Sequence, residues 1–238
     1  MNLKYFKTYV PNLFTLLNLF CGSVGVIFAV QVDLITSSYF VLLGILFDFF
    51  DGFFARKFNS QSSLGLQLDS LADMVTSGLI PGIFMMNLLQ LSLDSSWPMW
   101  DIIPYFALII TLCSAYRLAN FNISKHNNFF IGLPTPANTL LIVSLPLVLE
   151  FQDSKLWSSI ILSPIFLVVL TFFLSFLLNS KLRLISLKFK TLDIRNNLDK
   201  YVLIISFFLI LIFFKWAGIF LVIIFYILFS VLRPPKIK

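Results

Sequence analysis

Charge is what this chain has least of. Asp, Glu, Lys and Arg make up 12% of its 238 residues, about half the share of an ordinary soluble domain. So few polar side chains cannot cover a water-soluble fold, and an integral membrane protein is the class that fits. Cysteine is as scarce: Cys21 and Cys113 both fall in apolar stretches, which excludes a disulfide framework. The one histidine, His126, lies in the polar stretch 124–128 and reads as a solvated loop residue, not a ligand. Internal repeats and low-complexity segments are missing too.

Apolar runs are what the chain has instead, with 59% hydrophobic residues and 29 phenylalanines as lipid-facing bulk. The runs predict an all-α polytopic bundle of about eight transmembrane helices, at 13–30, 39–54, 71–91, 102–121, 137–151, 157–178, 201–214 and 217–232. Lys215 and Trp216 alone separate the last two, which predicts a tight helical hairpin. Lys4 and Lys7 before the first run look like a signal peptide, but no small-residue cleavage site follows, so the run is expected to stay as a span. Eight spans with both termini cytosolic leave only Lys155 and Lys215 outside, with Asp33, Asp94, Asp101, Glu150 and Asp153. That is the asymmetry of an oriented membrane protein. The net charge of +6 therefore points to lipid headgroups and away from nucleic acid. Residues 1–180 read as a six-helix catalytic core, 181–200 as a basic cytosolic loop and 201–238 as a C-terminal hairpin.

Against this background the carboxylates of 48–73 stand out. Each would cost roughly 2.5 to 3.5 kcal/mol at the centre of a membrane helix. Asp48 and Asp51 are three apart and Asp69 and Asp73 four apart, so each pair shares a helix face. A short polar turn, 59–63, brings the two faces together. An all-oxygen nest of this kind suits Mg²⁺ or Mn²⁺, and two such ions would neutralise a pyrophosphate during in-line attack on phosphorus. Gly52, Ala55 and Gly65 allow close approach of a base or phosphate, and Arg56 can pair with phosphate oxygens. Asp73, last of the series, is the natural general base for a hydroxyl nucleophile. Asn12, Thr15 and Asn18 add a polar stripe to the first span.

The run Asp48-x-x-Asp51-Gly52-x-x-Ala55-Arg56, eight residues, Gly65-x-x-x-Asp69-x-x-x-Asp73 resembles the signature of the CDP-alcohol phosphatidyltransferases at every defining position. The resemblance implies a dinuclear metal site on Asp48, Asp51, Asp69 and Asp73, with Asp73 also the catalytic base. It assigns Gly52, Ala55, Arg56 and Gly65 to the CDP moiety. Asn12 and Thr15, in a stretch similar to the family's first-helix motif, would help hold the CDP-diacylglycerol donor. A homodimer is implied as well.

Asp69-Ser-Leu-Ala-Asp73-Met-Val, Arg117-Leu-Ala-Asn-Phe-Asn122 and Phe130-Ile-Gly-Leu-Pro134-Thr135-Pro-Ala look like the phosphatidylserine synthase branch. That branch commonly has arginine where Asn120 stands and an aromatic residue where Ser77 stands. The implied reaction moves a phosphatidyl group from CDP-diacylglycerol to the hydroxyl of L-serine and releases CMP. Arg117, Asn122, Pro134 and Thr135 would shape the serine pocket, with Lys125 as a further cation. Alternatives are another acceptor, glycerol 3-phosphate or an inositol phosphate, or a cation transporter built on the same aspartates. The expected setting is a bacterial inner membrane, with the site facing the cytosol among membrane lipids.

Overall fold

The computed structural model describes residues 3–60, 62–94, 96, 99–123, 130–185 and 197–233. Lys125, His126, most of the basic loop and the side chains of Lys4 and Lys7 lie outside the described residues.

Helix α1 (Leu3–Val30) and helix α2 (Leu34–Lys57) form an antiparallel pair. Val32 turns the chain with a φ of 64°, and Asp33 caps α2 by accepting the Thr36 N–H at 3.0 Å. That hydrogen bond favours the ionised form and holds the exposed Asp33 carboxyl below its usual range. The Phe14 ring of α1 lies 5.2 Å from the ring of Phe54 and 5.8 Å from that of Phe50 on α2. This aromatic zip sets the register of the pair and brings Thr15, the next residue, to the carboxylate face of α2.

Helix α3 (Ser63–Asp73) continues through a π-helical turn (Met74–Leu79) into α4 (Ile80–Ser92), making one 30-residue apolar span. A π turn widens the helix and loosens its carbonyls, and such turns often mark functional sites. Here neighbouring hydroxyls satisfy two of them: Thr139 donates to the Ser77 carbonyl at 2.9 Å and Thr111 to that of Gly78 at 3.1 Å. A 3₁₀ turn (Ile103–Leu108) leads into α5 (Ile109–Ile123).

Helix α6 (Thr135–Phe151) lies at the centre. Every residue from Leu141 to Val148 is buried, so protein surrounds it on all sides, as expected of a helix apolar all round. Helix α7 (Lys155–Ile161) and helix α8 (Pro164–Asn179) meet at a 63° bend. Pro164 causes it, because the residue before proline is pushed out of the helical region and Ser163 restarts the helix as a cap. Strands β1 (Phe130–Ile131) and β2 (Arg183–Leu184) pair antiparallel. Gly132 follows with a φ of 71°, where a side chain would strike the Leu178 carbonyl at 2.6 Å.

Helix α9 (Leu198–Leu232) breaks at Lys215, where φ is 50° and ψ is −123°. A β-carbon on Gly218 would lie 2.9 Å from Leu211 Cα, whereas seven residues of straight helix span about 10 Å. Arg233 is paired with Asp199 at 2.8 Å, although 34 residues separate them. The chain therefore reverses at Lys215, and the two arms lie side by side. Gln152, just past α6, accepts the freed Ala217 N–H at 3.1 Å. Gly218→Val should push the arms apart and cost about 1–3 kcal/mol, read as a lowered Tm in detergent. An unchanged Tm would contradict this close packing.

Among the described residues, and with α9 counted once, five helices are long and apolar enough to cross a membrane, six if the bent α7–α8 pair forms one span. This is an all-α membrane protein. The expected span 137–151 is helical but short, as α6 has 17 residues. The expected span 157–178 is the bent pair, and 201–214 and 217–232 are the arms of α9.

Candidate active site

Asp48 and Asp51 stand one turn apart near the C-terminal end of α2, facing Asp69 and Asp73 on α3. Carboxylate oxygens of Asp48, Asp51 and Asp69 all lie within 4.8 Å of one another. Thr15 donates to Asp51 Oδ2 at 2.7 Å and holds that carboxylate in place. Asp73 adjoins this trio and acts on Asp48 and Asp69 by charge. Its Oδ1 accepts a long 3.4 Å hydrogen bond from Asn18 Nδ2, and the buried Arg117 acts on its charge.

The small residues border the same space. A β-carbon on Gly52 would sit 3.2 Å from the Arg56 guanidinium, so that exposed side chain folds back over its own helix. A β-carbon on Gly65 would lie 3.1 Å from Ser62 Oγ and 3.2 Å from Asn12 Oδ1. Ser62 caps α3 by accepting the Gly65 N–H at 3.0 Å. Asn12 and Thr15 therefore approach α3 and α2 from the same face of α1. Ala55 is half-buried one turn after Asp51.

On the other side, Arg117 of α5 donates from Nη1 to Thr135 Oγ1 at 3.5 Å, and Pro134 is the cap residue of α6. Asn122 is bonded across to α3. Its Nδ2 donates to Ser70 Oγ at 2.9 Å, which ties α5 to α3 beside Asp69.

The CDP-alcohol phosphatidyltransferase family model matches residues 8–176, most of the chain. The chain belongs to this family. Its relatives include the CDP-diacylglycerol–serine O-phosphatidyltransferase of Bacillus subtilis (strain 168), 32% identical over 176 residues, covering 74% of this chain and 89% of that protein. A protein of the same name in Methanocaldococcus jannaschii is 34% identical over 134 residues, 56% of this chain and 58% of the relative. The one in Helicobacter pylori (strain ATCC 700392 / 26695) is 30% identical over 160 residues, 63% of this chain and 65% of the relative.

Within this transferase family fold, the trio fits a divalent cation on its own chemistry. Three carboxylates crowd together, and among the described residues the ion pair is the remote Arg233–Asp199. A divalent cation would offset the repulsion of like charges at such spacing in an apolar bundle, and oxygen-only ligands suit a hard ion such as Mg²⁺ or Mn²⁺. Asn18, Ser62 and Ser70 were missing from the predicted site. Asn18 was already visible as the third member of the polar stripe of α1, whereas Ser70 carries no sequence signal because its partner is 52 residues away.

Proposed function

We propose that this chain transfers a phosphatidyl group from CDP-diacylglycerol to L-serine, giving phosphatidylserine and CMP. The observation that carries this reading is the meeting of four aspartates where α2 faces α3. Asp48, Asp51 and Asp69 offer oxygens close enough for a metal, and Asp73 adjoins them with Asn18 and the buried Arg117 guanidinium beside it. The serine substrate is supported by the names of the relatives.

In this mechanism Asn12, Thr15, Gly52, Ala55, Arg56 and Gly65 cradle the CDP end of the donor. Asp48, Asp51 and Asp69 hold the cation, two ions in the dinuclear reading to which Asp73 contributes. Bound there, Mg²⁺ or Mn²⁺ supplies charge neutralisation for the pyrophosphate. Asp73 takes the hydroxyl proton of serine, the freed oxygen forms the new bond to the phosphatidyl phosphorus, and the bond to CMP breaks. CMP leaves with that electron pair. Arg117, Thr135 and the Pro134 loop face the serine carboxylate, and Asn122 keeps α5 and α3 in register for both substrates.

The same proposal includes eight crossings, with α6 and the two α9 arms each counted as one. It also includes cytosolic termini, a site facing the cytosol of a bacterial inner membrane, and a homodimer that rests on the family resemblance. Residues 1–180 form the catalytic core, 181–200 the basic loop at the lipid surface and 201–238 the hairpin.

CMP release by purified protein in detergent tests the reaction. With CDP-diacylglycerol and Mn²⁺ or Mg²⁺, release should require L-serine and not respond to glycerol 3-phosphate or inositol phosphate. Release with only one of the phosphorylated acceptors would overturn the serine assignment and keep the metal site.

A further inference from the structure

The π turn, α5 and α6 meet around buried polar atoms that have no partner. Asn138 on α6 is 0% exposed, yet neither its Oδ1 nor its Nδ2 is hydrogen-bonded. Ser77 Oγ in the π turn, Ser114 Oγ on α5 and Arg117 Nε are equally unpartnered and buried.

Three contacts bring these atoms into one region. Thr139, the neighbour of Asn138, donates to the Ser77 carbonyl. Thr135, one turn before Asn138, accepts from Arg117, one turn after Ser114. A β-carbon on Gly78 would lie 3.4 Å from Ser114 Cβ, so α5 packs directly on the π turn. The π turn begins at Met74, immediately after Asp73.

Buried polar groups are nearly always satisfied, and a cluster of exceptions calls for a ligand or ordered water. The donor set narrows the choice. Asn138 offers one acceptor and two donors, each serine hydroxyl offers both, and Arg117 offers a donor carrying fixed positive charge. Asp73 acts on Arg117 by charge from the start of the π turn, and Asn138, Ser77 and Ser114 are neutral. Such a set suits a small zwitterion: its carboxylate meets Arg117 and the Asn138 amide nitrogen, and its ammonium meets Asn138 Oδ1 and the two hydroxyls.

We propose that Asn138, with Ser77 and Ser114, reads the α-ammonium and carboxylate of the amino-acid acceptor and thereby selects serine over alcohols that lack either group. This assignment rests on the serine reading above and adds to it the residues that discriminate. The hydroxymethyl arm of the bound acceptor then points along the π turn toward Asp73, the group that receives its proton.

The test is CMP release against L-serine concentration at saturating CDP-diacylglycerol, for the full chain and for Asn138→Ala, Ser77→Ala and Ser114→Ala. Asn138→Ala removes two hydrogen bonds to charged ligand groups and should raise KM for serine at least about 10- to 100-fold, with a smaller rise in the serine variants, which each lose one. The KM for CDP-diacylglycerol should stay unchanged, and kcat should fall far less than kcat/KM. Preference for serine over 3-hydroxypropionate, which lacks the amino group, should narrow in Asn138→Ala. Thermal protection by CDP-diacylglycerol reports that each variant is folded.

Unchanged serine KM in every folded variant, with serine-dependent release from the unaltered enzyme, would overturn this assignment alone and leave ordered water as the occupant. If Asn138→Ala fails to fold, the two serine variants decide on the same criterion. Absence of serine-dependent release from the unaltered enzyme would overturn both readings.

Discussion

Asp73→Asn should lower kcat by about 10²- to 10⁴-fold, the usual contribution of a positioned general base. Donor binding should survive in part, because Asp48, Asp51 and Asp69 remain to hold the metal and the hydrogen bond from Asn18 to Asp73 is long. The amide keeps the size of the carboxylate, so the Asn18 contact can be rearranged without a cavity. Single-turnover CMP release and CDP-diacylglycerol binding, measured on the same preparation, separate the two effects. Normal turnover would remove the base role from Asp73. Loss of donor binding equal to the loss of rate would make Asp73 a metal ligand first and a base second.

Withdrawal of metal should be as severe. A chelator should abolish CMP release, and Mg²⁺ or Mn²⁺ should restore it. Asp48→Asn should cost about 10³-fold in rate, since charge stabilisation at the phosphoryl group is worth several kcal/mol. Its effect on stability has the opposite sign in metal-free protein. With three carboxylates inside 4.8 Å, neutralising one relieves repulsion in an apolar interior, so the metal-free Tm should rise. The rise in Tm on adding metal should shrink, because binding at about 100 times Kd stabilises by about 2.7 kcal/mol only while affinity is retained. Calorimetry with chelator and then with Mn²⁺ gives both signs. A lower metal-free Tm in Asp48→Asn would mean that Asp48 has a structural partner in the fold.

The two predictions differ in how much of their basis is legible in sequence. The i, i+3 spacing of Asp48 and Asp51 and the i, i+4 spacing of Asp69 and Asp73 fix shared faces as soon as the segments are helical. Apolar run lengths made the segments helical, and the Asn12, Thr15, Asn18 stripe marked the face of α1 that meets them. What spacing cannot express is how the four aspartates sit relative to one another. It depends on how α1, α2 and α3 pack, and on the π turn that begins after Asp73. The pocket assignment shows the same limit: Asn122, predicted near the acceptor, is bonded to Ser70 across 52 residues, while Asn138, adjacent to the predicted Pro134-Thr135 loop, carries the two unpartnered atoms.

The sequence by itself therefore determined an α-helical membrane protein and the carboxylates that share a face, which follow from local period and composition. Its motif at 48–73 carried the resemblance to the family. Only the tertiary structure decided that α6 is enclosed by protein and that Pro164 bends its span by 63°. It alone set how the four aspartates meet where α2 faces α3, and brought Ser77, Ser114 and Asn138 around one buried region. The physical reason is that helical period governs neighbours within two turns, whereas these juxtapositions come from packing between segments far apart in the chain.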